Sequence, residues 1–580
     1  MYFDFTVPVP PTEGIITFKK IKNTTYVNYE YDRIYDKTKK YTNVKRTTIG
    51  KLVADNDKTV MYPNKNFYKY YPDEEFPVLS SIQRSSCLKI GTFILIEKIL
   101  KDYHLPGLIS KHIGSRYPLF LDLLAYSIVC EDNAAQYYPD YAYNHPLFTE
   151  DMHIYSDSSV CDFLAGFTID QSIGFLNEWN STRDHREKIY ISYDSTNKKS
   201  QAGDIEFVEM GHSKDGENDK PVFNYSVAYD SNNSEPLFYE DYCGSIVDIS
   251  QLQYMLERAR GYGYRKIGFI LDRGYFSKGN IHYMDDCGYD FVIMMKGMKD
   301  LASEVILECI GKFEKTRKHR ITEYDVSGFT VKRKLFPSDK KERYFHVYYG
   351  DWKAASEREA LEKKLTDLNR FLKKSMGGTI TVTETIRKYF TLIYYHEGQP
   401  DEKFMHAMEK EEVIDREISL CGYFIIITSQ NMTAKEALLL YKSRDASEKL
   451  FRGDKSYLGN KSLRVHKLES AQAKIFIEFV ALIVRNRIYR YMKEYMIEND
   501  IRRNYLDVPA ALKELDKIEM IRYSDDVYRL SHAITKTQKT ILAAFGMTEA
   551  NIKDRAKQLS LQLEAIEQES KEDEKNNVDR

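Results

Sequence analysis

Seven cysteines in 580 residues is a thin supply, and their placement excludes more than their number does. Cys87, Cys130, Cys161, Cys243, Cys287, Cys309 and Cys421 form no CxxC and no zinc-type cluster, and an odd count fits no closed disulfide framework. A reducing, cytoplasmic setting is expected. The thirteen histidines make no HExxH or HxH pair, so no histidine metal site is read. No GxxxxGK(S/T) phosphate loop occurs, and no nucleotide cofactor is expected. Ser195 and Thr196 follow an aspartate but sit in no nucleophile elbow. Long apolar runs are missing too. The most apolar, IFIEFVALIV (Ile475–Val484), is too short to span a bilayer, contains Glu478 and runs into Arg485 and Arg487. It reads as a buried helix, and no membrane partner is expected. The opening MYFDFTVPVPPTEG has neither a basic n-region nor an apolar h-region, so no secretory signal is expected. A net charge of −2 does not by itself point to nucleic acid.

What is present is organisation. Residues 1–86 alternate polar and apolar positions with many Tyr, Thr and Val, as in YVNYEYDRIYDKT, which predicts strands and hairpins. Residues 87–185 turn helical, in LKIGTFILIEKILKDYHL and YPLFLDLLAYSIV, bounded by Pro106 and Pro118. The aromatic stretch Tyr137–Tyr143 falls here; loop or core filler is the plainer reading, base stacking the sharper one. Between 186 and 299 the pattern is most regular. KIYISYD, DIEFVEMG and VFNYSVAYD read as three strands, ISQLQYMLERARGYG as a helix, KIGFILD as a strand, SKGNIHYMDDCG as a helix and YDFVIMMKG as a fifth strand. Three strands, helix, strand, helix, strand is the order of a ribonuclease H-like fold, a mixed five-stranded sheet with helices.

The pattern then breaks. Residues 300–418 read as a β-rich insertion with one highly charged helix, DWKAASEREALEKKLTDLNRFLKK. The core resumes over 419–460 with the strand YFIIIT and a helix from Thr433, which with Glu436 makes a capping box. Residues 461–563 read as helical and as a surface for DNA or dimer contacts. From Lys461 to Tyr495 eight Lys or Arg face three Glu. Residues 564–580 are acidic and are expected to be disordered.

Asp194 closes KIYISYD and Asp272 closes KIGFILD. Functional groups gather at the carboxyl ends of strands in open α/β sheets, and first and fourth strands are neighbours in this topology. Either aspartate alone would be an ordinary turn former. Together, at these two strand ends, they read as a pair able to hold divalent ions. In YKSRDASEKLFRGDK, at about 100° per residue, Tyr441, Arg444 and Glu448 fall within about 60° of one helix face. Spacing alone leaves a solvated Arg–Glu pair equally open.

Tyr441, Arg444, Glu448 and Lys455 spell Tyr-x2-Arg-x3-Glu-x6-Lys, and in this the chain resembles bacterial insertion-sequence transposases of the DDE type with a β-strand insertion. YDST around Asp194, GHSKDGENDKP at 211–221 and LDRGYFS around Asp272 agree, as does the insertion between the second Asp and the Glu. The resemblance covers about 188–490 and is loose before it. It implies that Asp194, Asp272 and Glu448 hold two Mg²⁺ ions, with Mn²⁺ as substitute, and hard oxygen donors suit both ions. It assigns Tyr441, Arg444 and Lys455 to the DNA backbone near the cut, with Arg273 and Lys214 as further candidates on that surface. It implies double-stranded DNA partners, transposon ends and target, and a homodimer in the synaptic complex, the protein lying on the nucleoid when bound. Cleavage would free a 3′-hydroxyl that attacks target DNA. Two alternatives stand beside this: a ribonuclease H-like nuclease that cuts without joining, and a catalytically silent DNA-binding protein descended from a transposase.

Overall fold

A computed structural model describes residues 2, 6–11, 15–21, 24–36, 40–54, 57–71, 74, 84–183, 188–200, 205, 207–209, 221–244, 248–399, 402–444, 462–501, 507–523, 525 and 527–578. The chain divides into two compact units, Met1–Gln83 and Arg84–Arg580.

The first unit is an antiparallel sheet of β1 (Val7–Pro8), β2 (Ile16–Ile21), β3 (Thr24–Asp36), β4 (Tyr41–Ala54) and β5 (Asp57–Pro63), in the order β1-β5-β4-β3-β2. Strand alternation sends Ile16, Val27, Leu52 and Met61 to one face, where Phe67 of α1 (Lys65–Tyr70) packs on them. Helix α1 starts at Asn64, whose side chain accepts from the Asn66 N–H.

The second unit opens with β6 (Cys87–Lys89) and six helices: α2 (Gly91–Asp102), α3 (Leu105–Ile113), α4 (Tyr117–Cys130), α5 (Tyr138–Asn144), α6 (Asp157–Ala165) and α7 (Ile169–Ser181). Their starts are written in the sequence: Pro stands in the first turn of α3, α4 and α5, Ser156 caps α6, and Thr168 with Gln171 boxes α7. In and just before α5, Tyr138 and Tyr141 are buried while Tyr137 and Tyr143 are exposed, so the aromatic stretch is half core.

The sheet follows: β7 (Ile189–Lys199), β8 (Val222–Asp230), β9 (Glu235–Cys243), α8 (Asp248–Gly261), β10 (Ile267–Leu271), α9 (Lys278–Asp286), β11 (Asp290–Met294). The chain continues through α10 (Lys299–Cys309), β12 (Arg320–Ile321), β13 (Val326–Arg333), β14 (Arg343–Tyr349), α11 (Asp351–Lys374), α12 (Glu384–Tyr389), β15 (Phe390–Tyr395), β16 (Lys403–Glu409), α13 (Glu411–Ser419), β17 (Tyr423–Thr428) and α14 (Ala434–Lys442). It ends with α15 (Leu468–Glu498), α16 (Val508–Leu515), β18 (Glu519–Arg522), β19 (Tyr528–Leu530), α17 (Lys536–Ala544) and α18 (Glu549–Val578). Among the described residues nine strands form one sheet in the order β12-β13-β14-β17-β11-β10-β7-β8-β9. Within it β10 runs parallel to β7 and β11, and the other described pairings are antiparallel.

The mixed α/β architecture stands, with differences in its parts. DIEFVEMG is not the second strand: of its described residues only Glu209 bridges, to Val222. The second strand is VFNYSVAYD and the third is EPLFYEDYC, whose carboxylates disguise a buried strand. Glu240 is buried there, with Tyr193 and Gln251 within hydrogen-bond reach, and burial raises its pKa. The expected separate β-rich insertion is also revised. Its first residues form helix α10, and β12, β13 and β14 extend the core sheet through β17. The hairpin β15–β16 forms its own sheet and shares a small core of Leu365, Ile386, Phe404 and Ile414 with α11, α12 and α13. The acidic end, expected to be disordered from 564, is helical to Val578, because LQLEAIEQESKEDEK is rich in strong helix formers and Leu559 and Leu563 are buried. The apolar run 475–484 is buried at the middle of α15, where Phe476 packs on Phe120 and Phe479 on Tyr239. Among the described residues no helix is long and apolar enough to cross a membrane.

Candidate active site

The pairing of β7 with β10 is parallel and in register from Ile189–Ile267 to Tyr193–Leu271. Asp194 and Asp272 are the next residue of each strand, so the two positions stand side by side, with backbones about 5 Å apart. Here β10 stops while β7 continues to Lys199 against β8, so Asp194 does not close its strand as the sequence suggested. It marks where β7 loses its neighbour on one side. The chain at Asp272 turns into a 3-10 turn, Arg273–Tyr275. Tyr275 is buried, its hydroxyl donates to Ser195 Oγ at 3.1 Å, and its ring lies 5.6 Å from that of Tyr193. That bond ties the turn carrying Asp272 to the residue after Asp194. Beneath it the Tyr193 hydroxyl lies 2.7 Å from Ser226 Oγ and 3.2 Å from Glu240 Oε2, which stiffens the strand from the other side.

Helix α14 crosses the sheet obliquely. Thr433 and Glu436 make the expected capping box at its start, where the Ala434 carbonyl accepts from the Tyr348 hydroxyl of β14 at 2.7 Å. Its apolar side, Ala434, Leu438 and Tyr441, packs on Tyr348, Ile426, Val292 and Ile270, stepping from β14 to β10. The helix closes at Lys442, and Arg444 sits in the turn that follows it. Arg444 Nη1 pairs with Asp272 Oδ1 at 2.9 Å, the arginine side chain 12% and the aspartate 36% exposed. Its guanidinium carbon stands 5.4 Å from the centre of the Tyr441 ring. Tyr441 itself is 5% exposed, so it serves as the floor beneath Arg444 and not as an open platform for a base.

The model of the family described as "Transposase DDE domain" matches residues 191–484, half of the chain. The chain belongs to the DDE-domain transposases. The matched span includes both aspartates, the insertion and the first half of α15. No curated protein matches this transposase. A solved structure, a cryo-EM structure of the piggyBac transposase synaptic complex with hairpin DNA, aligns over 73% of this chain and 79% of that one, at 8% identity and a TM-score of 0.35. That likeness is too slight to carry weight on its own.

Lys214, Glu448 and Lys455 lie outside the described residues, as does the side chain of Asp194. Arg273 is exposed beside Asp272 and has no ion-pair partner among the described residues. Among the described residues no group of three or more His, Cys, Asp or Glu could hold a metal ion. The donor types nonetheless fit a hard divalent ion: two aspartates at one level of adjacent parallel strands, one of them partly open to solvent. Sequence reading missed a group of cations in the segment between α10 and β12. Lys312, Lys315, Arg317 and Lys318 are exposed without ion-pair partners among the described residues. Lys318 lines a groove of about 620 Å³ with Arg320, Phe329, Thr433 and Lys435. The run KTRKHR at 315–320 was the signal.

Proposed function

We propose that this transposase cleaves DNA at the ends of its own element by metal-dependent phosphodiester hydrolysis and joins the freed 3′-hydroxyl to target DNA. Asp194, Asp272 and Glu448 hold the ions, two Mg²⁺ or Mn²⁺, in this reading. The observation that carries it is the register: Asp194 and Asp272 follow paired residues of parallel neighbours, with Arg444 on Asp272. The order third-second-first-fourth-fifth among β9, β8, β7, β10 and β11 supports a ribonuclease H-like core.

A bound divalent ion would neutralise phosphate charge and raise the acidity of an attacking water. The chain's own groups supply position and charge, which is most of what phosphoryl transfer needs. Arg444, resting on Tyr441, presents a planar cation that can pass from the Asp272 carboxylate to a phosphate oxygen. Arg273 offers an exposed cation on the same turn, and Lys214 and Lys455 act on the same backbone. Lys318 adds an exposed cation beside the start of α14. Double-stranded DNA, ends and target, is the partner, and a homodimer holds two ends in the synapse through the C-terminal helices.

The test is cleavage of a labelled duplex carrying the element's ends, with Mg²⁺ or Mn²⁺, by wild type, Asp272→Asn and Glu448→Gln. Cutting and joining by wild type alone is expected. Cutting without joining identifies a nuclease, end binding without cutting identifies a silent DNA-binding protein, and equal cutting by a variant removes that residue from the site.

A further inference from the structure

The N-terminal unit carries a surface that the reaction above does not use. On the face of its sheet away from α1, Lys19 is paired in register with Tyr26, Tyr26 with Lys51, and Lys51 with Tyr62. Lysine and tyrosine thus alternate along one row across β2, β3, β4 and β5. Tyr2 joins the row: its ring centre lies 6.1 Å from that of Tyr26, and Lys51 Nζ stands 5.5 Å from the Tyr2 ring and 5.3 Å from the Tyr62 ring. The adjacent row is Thr17, Asn28 and Thr48, with the Thr48 hydroxyl donating to Asn28 Oδ1 at 2.8 Å. Further along β3 the buried carboxylate of Glu30 is held by Arg33 and Arg46, each at 2.7 Å, so it adds no free negative charge.

Composition points the same way. Residues 15–71 hold thirteen Lys or Arg against five Asp or Glu, within a chain whose net charge is −2. A face built to pack would repeat the Ile16 and Phe18 side of β2, which is apolar. A merely solvated face has no need of rings spaced by cations. Tyr26 and Tyr62 stand two strands apart, about 10 Å, with the Lys51 strand between them. Rings bind the flat faces of bases, and a duplex hides those faces in its own stack, whereas a single strand offers bases and phosphates together.

We propose that this sheet face binds single-stranded DNA, with bases on Tyr26 and Tyr62 and phosphates on Lys19 and Lys51. The assignment does not depend on the carboxylate site, whose duplex cleavage is read in a separate assay. The test is fluorescence anisotropy of labelled oligothymidine and of a duplex of equal length against the full chain, without divalent metal, over a range of salt. The single strand should bind more tightly. Lys19→Gln with Lys51→Gln should lower the slope of log affinity against log salt by about 1.4, about 0.7 for each lost phosphate contact. Tyr26→Leu or Tyr62→Leu should weaken binding at least about fivefold at unchanged slope, while Tyr26→Trp, which keeps a stacking ring, holds it. Binding unchanged in all of these variants, tighter binding of the duplex, or loss in Tyr26→Trp equal to that in Tyr26→Leu would overturn the proposal.

Discussion

Glu478→Gln removes one charge from a pair sealed inside the protein. Lys198 of β7 and Glu478 of α15 form an ion pair with side chains 0% and 1% exposed, and Lys198 Nζ also lies 4.4 Å from the centre of the Tyr225 ring. Desolvating each ion costs several kcal/mol, and their attraction offsets this only while both are present. Glutamine keeps the shape and deletes the charge facing the ammonium, so the loss should be about 3–5 kcal/mol. Lys198→Met alone should cost a similar amount. Lys198→Met with Glu478→Leu removes both ions and should cost less than the two single losses added, a coupling of at least about 3 kcal/mol, with a residual cost from the buried Lys474 that Glu478 also faces. The chain carries its own reporter. Of its two tryptophans, Trp179 is buried and donates to the Pro236 carbonyl at 3.0 Å, while Trp352 is already 81% exposed. A red shift of fluorescence in guanidinium therefore reports opening around Trp179. Losses that simply add in the double variant, or a Glu478→Gln cost under about 0.5 kcal/mol, would refute the argument that this pair is held dry.

Three further outcomes are expected. Arg444→Lys keeps the charge but loses the planar fork at Asp272, so single-turnover cleavage should fall about 10- to 100-fold, from the 1.5–3 kcal/mol of a charge-assisted bond; a wild-type rate would separate Arg444 from the chemistry. Tyr275→Phe deletes the 3.1 Å bond to Ser195 that ties the two aspartate segments, costing about 1 kcal/mol in denaturant unfolding with a cleavage loss near fivefold, and unchanged values in both assays would show the tie is idle. The pH dependence of stability contains two opposed slopes. Burial lowers the His346 pKa to about 4, so its contribution is present above pH 6.5 and lost as pH falls through 4; burial raises the Asp122 pKa to about 7, so its contribution is present below pH 3.8 and lost as pH rises through 7. Between pH 4 and 6.5 His346→Gln should therefore turn the melting profile downward with rising pH relative to wild type, by up to about 3 kcal/mol, whereas a parallel profile would place His346 near its ordinary titration.

Much of the candidate site was legible because it rests on local rules. KIYISYD and KIGFILD are strands by composition, and the Thr433–Glu436 box marks the start of α14 before any fold is known. That β7 and β10 would be neighbours followed from the order of elements; the register that sets position 194 beside 272 did not. What escaped was non-local. EPLFYEDYC looks too polar for a buried strand until Tyr193, Gln251 and Arg258 are seen around Glu240. Tyr441 carries a hydroxyl and sits one turn from Arg444, which suggested an exposed contact; only the packing of α14 on Ile270 and Val292 buries it. The strands at 320–349 gave no sign that they would join the core sheet, because their partner β17 lies far beyond them in the chain.

That placement of β17 has a consequence for how the transposase is made. Met294 ends β11 and Tyr423 opens β17, a separation of roughly 130 residues, yet β17 is the strand that fills the gap between β11 and β14. On a ribosome adding about 5–20 residues per second, β11 waits on the order of ten seconds with one edge unpaired, and β14 waits with another. Bare edges are templates for pairing with other chains. Of two nascent copies on one message, the leading one would offer the strand that the trailing one still lacks. A translational pause just before Tyr423 would lengthen that exposure and is expected to lower the yield of folded chain without altering any residue of the protein.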